Sequence, residues 1–307
     1  MDGLSAPRPV SVTETARAKI NLALAVGELR PDGYHGLQTV MQTISLADEV
    51  SVTPLADDRA IRCRCAWANG DGTWTDDPGL SGTDNIAVTA ARCYEDELRR
   101  AAGRNLAFGL NIQIKKNIPA QAGLGGGSAD AAAVLRALNR LEGMPLSQAA
   151  LEAAARRCGA DVPFCLRGGT QWAEGAGTTL MPLPAAPALP VIIVQPSAGV
   201  STAEAYRLFD RLGEPEELDR AEWRSRLASG GTAEIASGLR NNFEPVVAAV
   251  LPVIAEIKAM LLREGCSGAL LTGSGSAVFG LSPTAGGSLA RRVEAEFACR
   301  AWLAVFE

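Results

Sequence analysis

Pro119-Ala120-Gln121-Ala122-Gly123-Leu124-Gly125-Gly126-Gly127-Ser128-Ala129-Asp130 runs directly into an Ala/Leu-rich stretch that ends at Leu141. Four glycines occupy the five positions from Gly123 to Gly127. Glycine takes φ > 0 without a steric penalty and lets another group come close to the backbone. Ser128 follows, and a serine hydroxyl accepts from a free amide in a helix's first turn, so Ser128 is expected to cap the helix. Gly143 is placed to stop it. A glycine loop feeding a helix presents unpaired N–H groups and the positive end of the macrodipole, which makes an anion site and most often a phosphate site. Taken alone, the glycines are equally compatible with a plain tight turn. No Gly-Lys-Ser/Thr follows, so this is not the common P-loop. The spacing Gly123-x-Gly125-x-x-Ser128 ends in serine and Pro119 separates it from any preceding strand, so it is not a dinucleotide fingerprint either.

Working outward, Leu110, Ile112 and Ile114 alternate as a strand that enters the loop. Asp84-Asn85 starts a helix from Ile86 to Ala102. Beyond the loop, Leu146 to Cys158 reads as a helix with Ser147 as its cap. Gly159-Ala160-Asp161-Val162-Pro163-Phe164 follows, in which Asp161 is either a turn residue or a buried functional acid. Near the N-terminus Val10 to Val26 alternates. Ile20, Leu22, Leu24 and Val26 share one strand face, while Lys19, Asn21, Ala23 and Ala25 share the other. The alanines beside Lys19 and Asn21 suggest that something packs or binds there. Arg30-Pro31-Asp32-Gly33-Tyr34-His35-Gly36 is a turn by its Pro-Asp-Gly core, and it sets Tyr34 beside His35, the single histidine. A lone histidine is a structural donor or a functional group, and the turn does not decide between them.

Residues 37–53 read as further strand, and residues 66–83 as an irregular excursion rich in glycine and proline. Leu189 to Val194 is a short buried strand. Val200-Ser201-Thr202 caps a helix that carries Tyr206, residues 211–240 are polar and helical, and a single helix is expected from Val246 to Arg263. Gly268 to Leu281 reads as strand, glycine turn, strand around Thr272-Gly273-Ser274-Gly275-Ser276, a second loop able to approach an anion. Strands and helices without regular βαβ alternation point to an α+β fold.

The chain has 307 residues, 47% apolar and 21% charged, enough for a sizeable core and, by length, two domains. The net charge of −5 argues against nucleic acid or an anionic membrane as partner. Seven scattered cysteines form no C-x-x-C pair, and a single histidine excludes a Cys₂His₂ zinc site. Reduced thiols in a cytoplasmic protein are the expectation.

Three separated segments, Lys19-Ile20-Asn21, Pro119 to Ser128, and Leu271-Thr272-Gly273-Ser274-Gly275-Ser276-Ala277, resemble the three motifs of the GHMP small-molecule kinases. With Asp32-Gly33-Tyr34-His35, Asp84-Asn85, Gly159 to Phe164 and Gly168-Gly169, they occur in the family's order over about residues 15–282. The narrower resemblance is to members that phosphorylate the 2-hydroxyl of 4-diphosphocytidyl-2-C-methyl-D-erythritol in the non-mevalonate (MEP) isoprenoid route. Ala122 and Ala129 stand where many members have glycine and serine, and neither side chain is needed for a backbone phosphate cradle.

The resemblance implies a two-domain α+β GHMP kinase fold. A ribosomal protein S5 domain 2-like ATP-binding domain would span 1–165 and an α+β C-terminal domain 166–307, with the substrate cleft between them. It implies ATP and Mg²⁺, with Lys19 and Asp161 catalytic and Asp161 the general base. ATP would be held by Pro119, Ala120, Gln121, Ala122, Gly123, Leu124, Gly125, Gly126, Gly127, Ser128 and Ala129, with Asn85 and Lys116 near the adenosine. Ser128 is the candidate Mg²⁺ ligand. Substrate contacts would come from Asn21, Tyr34, His35, Thr202, Tyr206, Gly273 and Ser274, with Tyr34 and Tyr206 stacking on cytosine. The resemblance also implies a cytoplasmic monomer or weak homodimer with no nucleic-acid or membrane partner. Two alternatives stay open: another GHMP enzyme of the homoserine or mevalonate kinase type, and a non-catalytic nucleotide-binding protein of this fold.

Overall fold

The computed structural model describes residues 11–30, 35–56, 58–69, 73–281 and 287–307. The strands and helices of the first half are β1 (Val12–Leu29), β2 (His35–Leu55), β3 (Ile61–Ala68), β4 (Trp74–Asp76), α1 (Ile86–Ala102), β5 (Gly109–Lys116), α2 (Gly126–Leu141), α3 (Gln148–Cys158) and α4 (Val162–Arg167). The second half holds β6 (Thr170–Gly175), β7 (Thr179–Pro182), β8 (Pro190–Pro196), α5 (Thr202–Leu212), α6 (Arg220–Ser229), α7 (Thr232–Gly238), β9 (Arg240–Asn241), α8 (Phe243–Val250), α9 (Val253–Arg263), β10 (Gly268–Leu271), β11 (Val278–Leu281), α10 (Gly287–Glu296) and β12 (Cys299–Val305).

The chain folds into two compact units, each assembled from separated segments. The first takes the described residues within 11–16, 48–117 and 127–166. Its strand β5 pairs antiparallel with the 49–55 half of β2 and parallel with β3, and β4 closes a hairpin on β3. The expected excursion over 66–83 therefore contains the end of one strand and a short second one; a count of glycines and prolines hides a hairpin when the returning strand is three residues long. Helix α1 starts where the sequence places it, because Asn85 accepts from the Ala87 amide at 2.7 Å, and Ser147 caps α3 in the same way.

The second unit comprises residues 17–47, 118–126 and 167–307. The 37–42 part of β2 pairs antiparallel with β6, which pairs with β7, and β9 runs parallel to β1 at Ala23 and Leu24. A separate antiparallel sheet has the order β10-β11-β8-β12. Helices α5, α8 and α9 supply Phe209, Phe243, Val247, Ile254, Ile257 and Leu261 to a core shared with Ile192, Val194, Leu271 and Val278. Ser201 caps α5 by accepting from the Glu204 amide at 3.2 Å.

The single helix expected over 246–263 is two helices, α8 and α9, meeting at 115°. Pro252 lies at the break and, lacking an N–H, cannot continue the ladder of α8. The helix also begins earlier than expected, at Phe243. Among the described residues no single helix is long and apolar enough to cross a membrane. None of the seven cysteines is in a disulfide.

Candidate active site

Within the second unit the first glycine loop lies against the second. A Cβ added at Gly123 would stand 2.2 Å from the Thr272 carbonyl oxygen, and one at Gly273 would stand 3.2 Å from Gly123 Cα. Both glycines have positive φ, +77° and +58°, so the approach and the backbone conformation each require glycine. Gly125 also has positive φ, and a Cβ there would meet Lys19 Cγ at 3.0 Å, so the lysine stem lies against this residue.

The loop's carbonyls face protein donors. The Leu124 oxygen accepts from the Lys19 amide at 3.0 Å, the Ala122 oxygen from the Ala277 amide at 3.2 Å, and the Ala120 oxygen from Gln195 Nε2 at 3.1 Å. Among the described residues the amides of Gly123, Leu124 and Gly125 have no acceptor. This is the polarity that an anion cradle needs: oxygens fastened inward and N–H groups left over. Gln121 holds φ +54°, a left-handed conformation at a non-glycine position. Pro119 is buried, Ala120 and Gln121 exposed.

On β1, Lys19 Nζ donates to Asn21 Oδ1 at 2.8 Å, with both residues almost fully buried. Asn21 Nδ2 donates to Thr39 Oγ1 at 2.7 Å, and that hydroxyl donates to the Ala23 carbonyl at 2.6 Å. The Asn21 amide donates to Thr272 Oγ1 at 3.0 Å. Lys19 and Asn21 are thus linked to the second glycine loop. Asn241, which the sequence reading passed over, holds that loop from beneath: its Nδ2 donates to the Leu271 and Gly273 carbonyls, both at 2.8 Å. The signal was present as a pair of asparagines at a helix entry. At the loop tip, Thr202 and Ser274 share a hydroxyl–hydroxyl bond of 3.0 Å.

His35 Nδ1 lies 2.7 Å from the Gly27 carbonyl and its Nε2 2.7 Å from Asp210 Oδ1. Its ring stacks on Tyr206 with centroids 6.0 Å apart and meets the edge of Phe209 at 5.5 Å. The structure therefore brings His35 and Tyr206 together, and it adds Asp210, which nothing in the sequence marked. A cavity of about 400 Å³ adjoins this cluster, with Gly27, Gly36, Gln38, Glu174 and Glu216 in its wall. Tyr34 lies outside the described residues.

Helix α2, whose residues from Gly127 onward belong to the first unit, begins at Gly126, so Ser128 sits within the first turn and is not the cap. Two glycines take up helical geometry ahead of it, which moves the start upstream. Gly127 is exposed, Ser128 half-buried and Ala129 buried. Asp161 is half-buried just before α4, and its carbonyl accepts from the Cys165 amide at 3.0 Å. Asn85 spends its Oδ1 on the α1 cap and its Nδ2 on the Leu80 carbonyl at 2.7 Å. Lys116 is 4% exposed, its ammonium set between the carboxylates of Asp48 and Asp130.

The family pattern described as GHMP kinases N terminal domain matches residues 85–169, and that described as GHMP kinases C terminal matches 224–306. A 4-diphosphocytidyl-2-C-methyl-D-erythritol kinase from Desulfitobacterium hafniense (strain Y51) is 48% identical over 88% of this chain and 86% of its own length. The chain belongs to the GHMP kinase family, among the 4-diphosphocytidyl-2-C-methyl-D-erythritol kinases. A second such kinase, from Pelotomaculum thermopropionicum (strain DSM 13744 / JCM 10971 / SI), is 43% identical over 93% of both chains. A solved structure described as 4-(cytidine 5'-diphospho)-2C-methyl-D-erythritol kinase superposes on this GHMP kinase with a TM-score of 0.75 and 34% identity, covering 96% of this chain and 99% of the other. The expected GHMP fold with mixed helix and strand is thereby borne out.

Proposed function

We propose that this GHMP kinase transfers the γ-phosphoryl group of ATP to the 2-hydroxyl of 4-diphosphocytidyl-2-C-methyl-D-erythritol, releasing ADP and the 2-phosphate. The observation that carries the reading is the backbone contact of the two glycine loops beside Lys19 and Asn21, with the amides of Gly123, Leu124 and Gly125 unclaimed. Phosphoryl transfer asks a protein mainly for positioning and charge stabilisation. The loop amides and the N-terminus of α2 bind the phosphates. The Lys19 ammonium, oriented by Asn21, offsets charge on the group in flight. Asp161 takes the hydroxyl proton, a role supported by its Gly159 to Phe164 motif context.

Mg²⁺ fits as a phosphate-borne ion. Among the described residues no group of three or more His, Cys, Asp or Glu side chains is arranged to hold a metal. The Ser128 hydroxyl, in the first turn of α2, has no hydrogen-bond partner among them and is the protein oxygen we assign to the ion. The Ser128 hydroxyl would hold the ion, which would supply positive charge against the charge developing on the phosphates. Tyr206 and Tyr34 stack on cytosine and His35 reads its edge, while Thr202, Ser274 and Gly273 meet the diphosphate and diol. Asn85 lies near the adenosine. Stacking contributes roughly 1–3 kcal/mol per base. The acidic net charge supports a partner list without nucleic acid or membrane lipid, and a cytoplasmic monomer or weak homodimer is kept as what the family resemblance implies.

An ADP-release assay with the cytidylyl substrate beside mevalonate and homoserine tests the reading. Turnover only with the first is expected; turnover with either of the others moves the chain to a different substrate class. Asp161→Asn is expected to lower kcat at least about a hundredfold while ADP still binds, and near-parental kcat would remove the base assignment.

A further inference from the structure

Three charged side chains that the reaction as described does not use are buried together at the foot of the first glycine loop. Lys116 is the last residue of β5, Asp48 belongs to β2, and Asp130 lies in the second turn of α2. Lys116 Nζ donates to Asp48 Oδ2 at 2.5 Å and to Asp130 Oδ2 at 2.7 Å. Asp48 Oδ1 accepts from the Asn117 amide at 2.5 Å, so one carboxylate holds both the side chain that ends the strand and the next backbone group. Asp130 Oδ1 is buried and has no partner among the described residues. A cluster of this kind is a poor source of stability, since removing charges from water offsets most of their mutual attraction. What it does fix is geometry. The residues between its two ends, 118–126, are the loop itself, tied at the strand exit by Asp48 and at the helix entry by Asp130 through a shared ammonium.

We infer that Lys116, Asp48 and Asp130 are positioning residues for the nucleotide: a buried brace of one ammonium shared by two aspartate side chains sets the separation of the two ends of the glycine loop, and so aims its amides. The inference rests on that loop being the ATP site. Lys116 then acts on ATP through the loop, not by touching the adenosine as the resemblance implies.

The test compares Asp130→Asn and Lys116→Met with the parent chain, after thermal melting has established that each variant folds. Where Lys116→Met does not fold, Asp48→Asn takes its place. The readouts are KM for ATP, KM for the cytidylyl substrate, and hydrogen exchange of peptides covering 117–128. Both variants are expected to raise the KM for ATP at least about tenfold, leave the other KM within about twofold, and speed exchange in that segment. An Asp130→Asn variant that binds ATP as well as the parent or better, beside a weakened Lys116→Met, gives Lys116 a direct contact and overturns the brace. Equal losses for both substrates overturn it too. A parent chain that binds no adenine nucleotide sinks the ATP-site reading instead. Exchange alone then decides: protection of 117–128 lost in the variants upholds the brace, and unchanged protection ends it.

Discussion

The first glycine loop continues into a helix, whereas the second turns back as a hairpin between β10 and β11. Both use glycine at positive φ, and each presses on the other. Their footings differ. The first is held at its base by buried charges, Lys116 with Asp48 and Asp130. The second is held by the neutral amide of Asn241 and by Glu244, which accepts from the Leu271 amide at 2.8 Å. The loop proposed to present N–H groups to an anion has a helix behind it; the loop against it contributes carbonyls and hydroxyls. On the proposed reading, similar composition serves as the nucleotide cradle in one place and, in the other, as its backing and as a contact for the second substrate.

The sharpest way to break this pairing is Gly123→Ala. The added methyl meets the Thr272 carbonyl at 2.2 Å in a backbone conformation that disfavours any side chain. We expect a loss of about 3 kcal/mol or more in denaturant unfolding, together with loss of nucleotide binding. Asn241→Ala comes next. It strands the carbonyls of Leu271 and Gly273 and the Phe243 amide, which bonds Asn241 Oδ1 at 3.0 Å. A cost of about 2–3 kcal/mol is expected, with turnover falling more than ADP affinity, because the loop it releases carries the proposed substrate contacts Gly273 and Ser274. Gly273→Ala is milder, since its nearest obstacle is at 3.2 Å. About 1–2 kcal/mol is expected, mostly from the positive φ, and the unfolding midpoint reads it. A Gly273→Ala cost equal to that of Gly123→Ala would mean the two loops are interchangeable, against the distinction drawn above.

The smallest effect is a slope. Burial pushes the Asp130 carboxyl well above the usual carboxylate range, with Lys116 pulling the other way. Above about pH 4, where an unfolded aspartate ionises, the unfolded chain releases a proton that the folded chain keeps. Stability contributed by the protonated carboxyl therefore declines as pH rises, until the folded group also ionises. Asp130→Asn should flatten that decline in a series of denaturant midpoints, while Asn241→Ala should shift the whole series without changing its slope.

Much of the site was legible because strand periodicity and glycine clusters are local signals. Lys19 and Asn21 share a strand face by counting, and both loops announce themselves. Their mutual contact does not, since Gly123 and Thr272 are far apart in sequence and only the fold shows that a Cβ at Gly123 would stand 2.2 Å from the Thr272 carbonyl oxygen. The brace was missed for the same reason: residues 48, 116 and 130 meet only once β2, β5 and α2 pack. Ser128 was misread as a cap because cap propensity outranked the ability of Gly126 and Gly127 to enter the helix. The break at Pro252 was readable, and the apolar run on either side concealed it.

His35 carries one further consequence. Both of its ring nitrogens are engaged, one by the Gly27 carbonyl and one by Asp210. A pyrimidine that addresses the Nε2 edge does not simply add a bond; it displaces a carboxylate already there. If His35 reads cytosine as proposed, recognition at that edge is an exchange, and its yield is the difference between two contacts. Selectivity for the base then depends as much on how firmly Asp210 holds the ring as on how well the incoming ring fits.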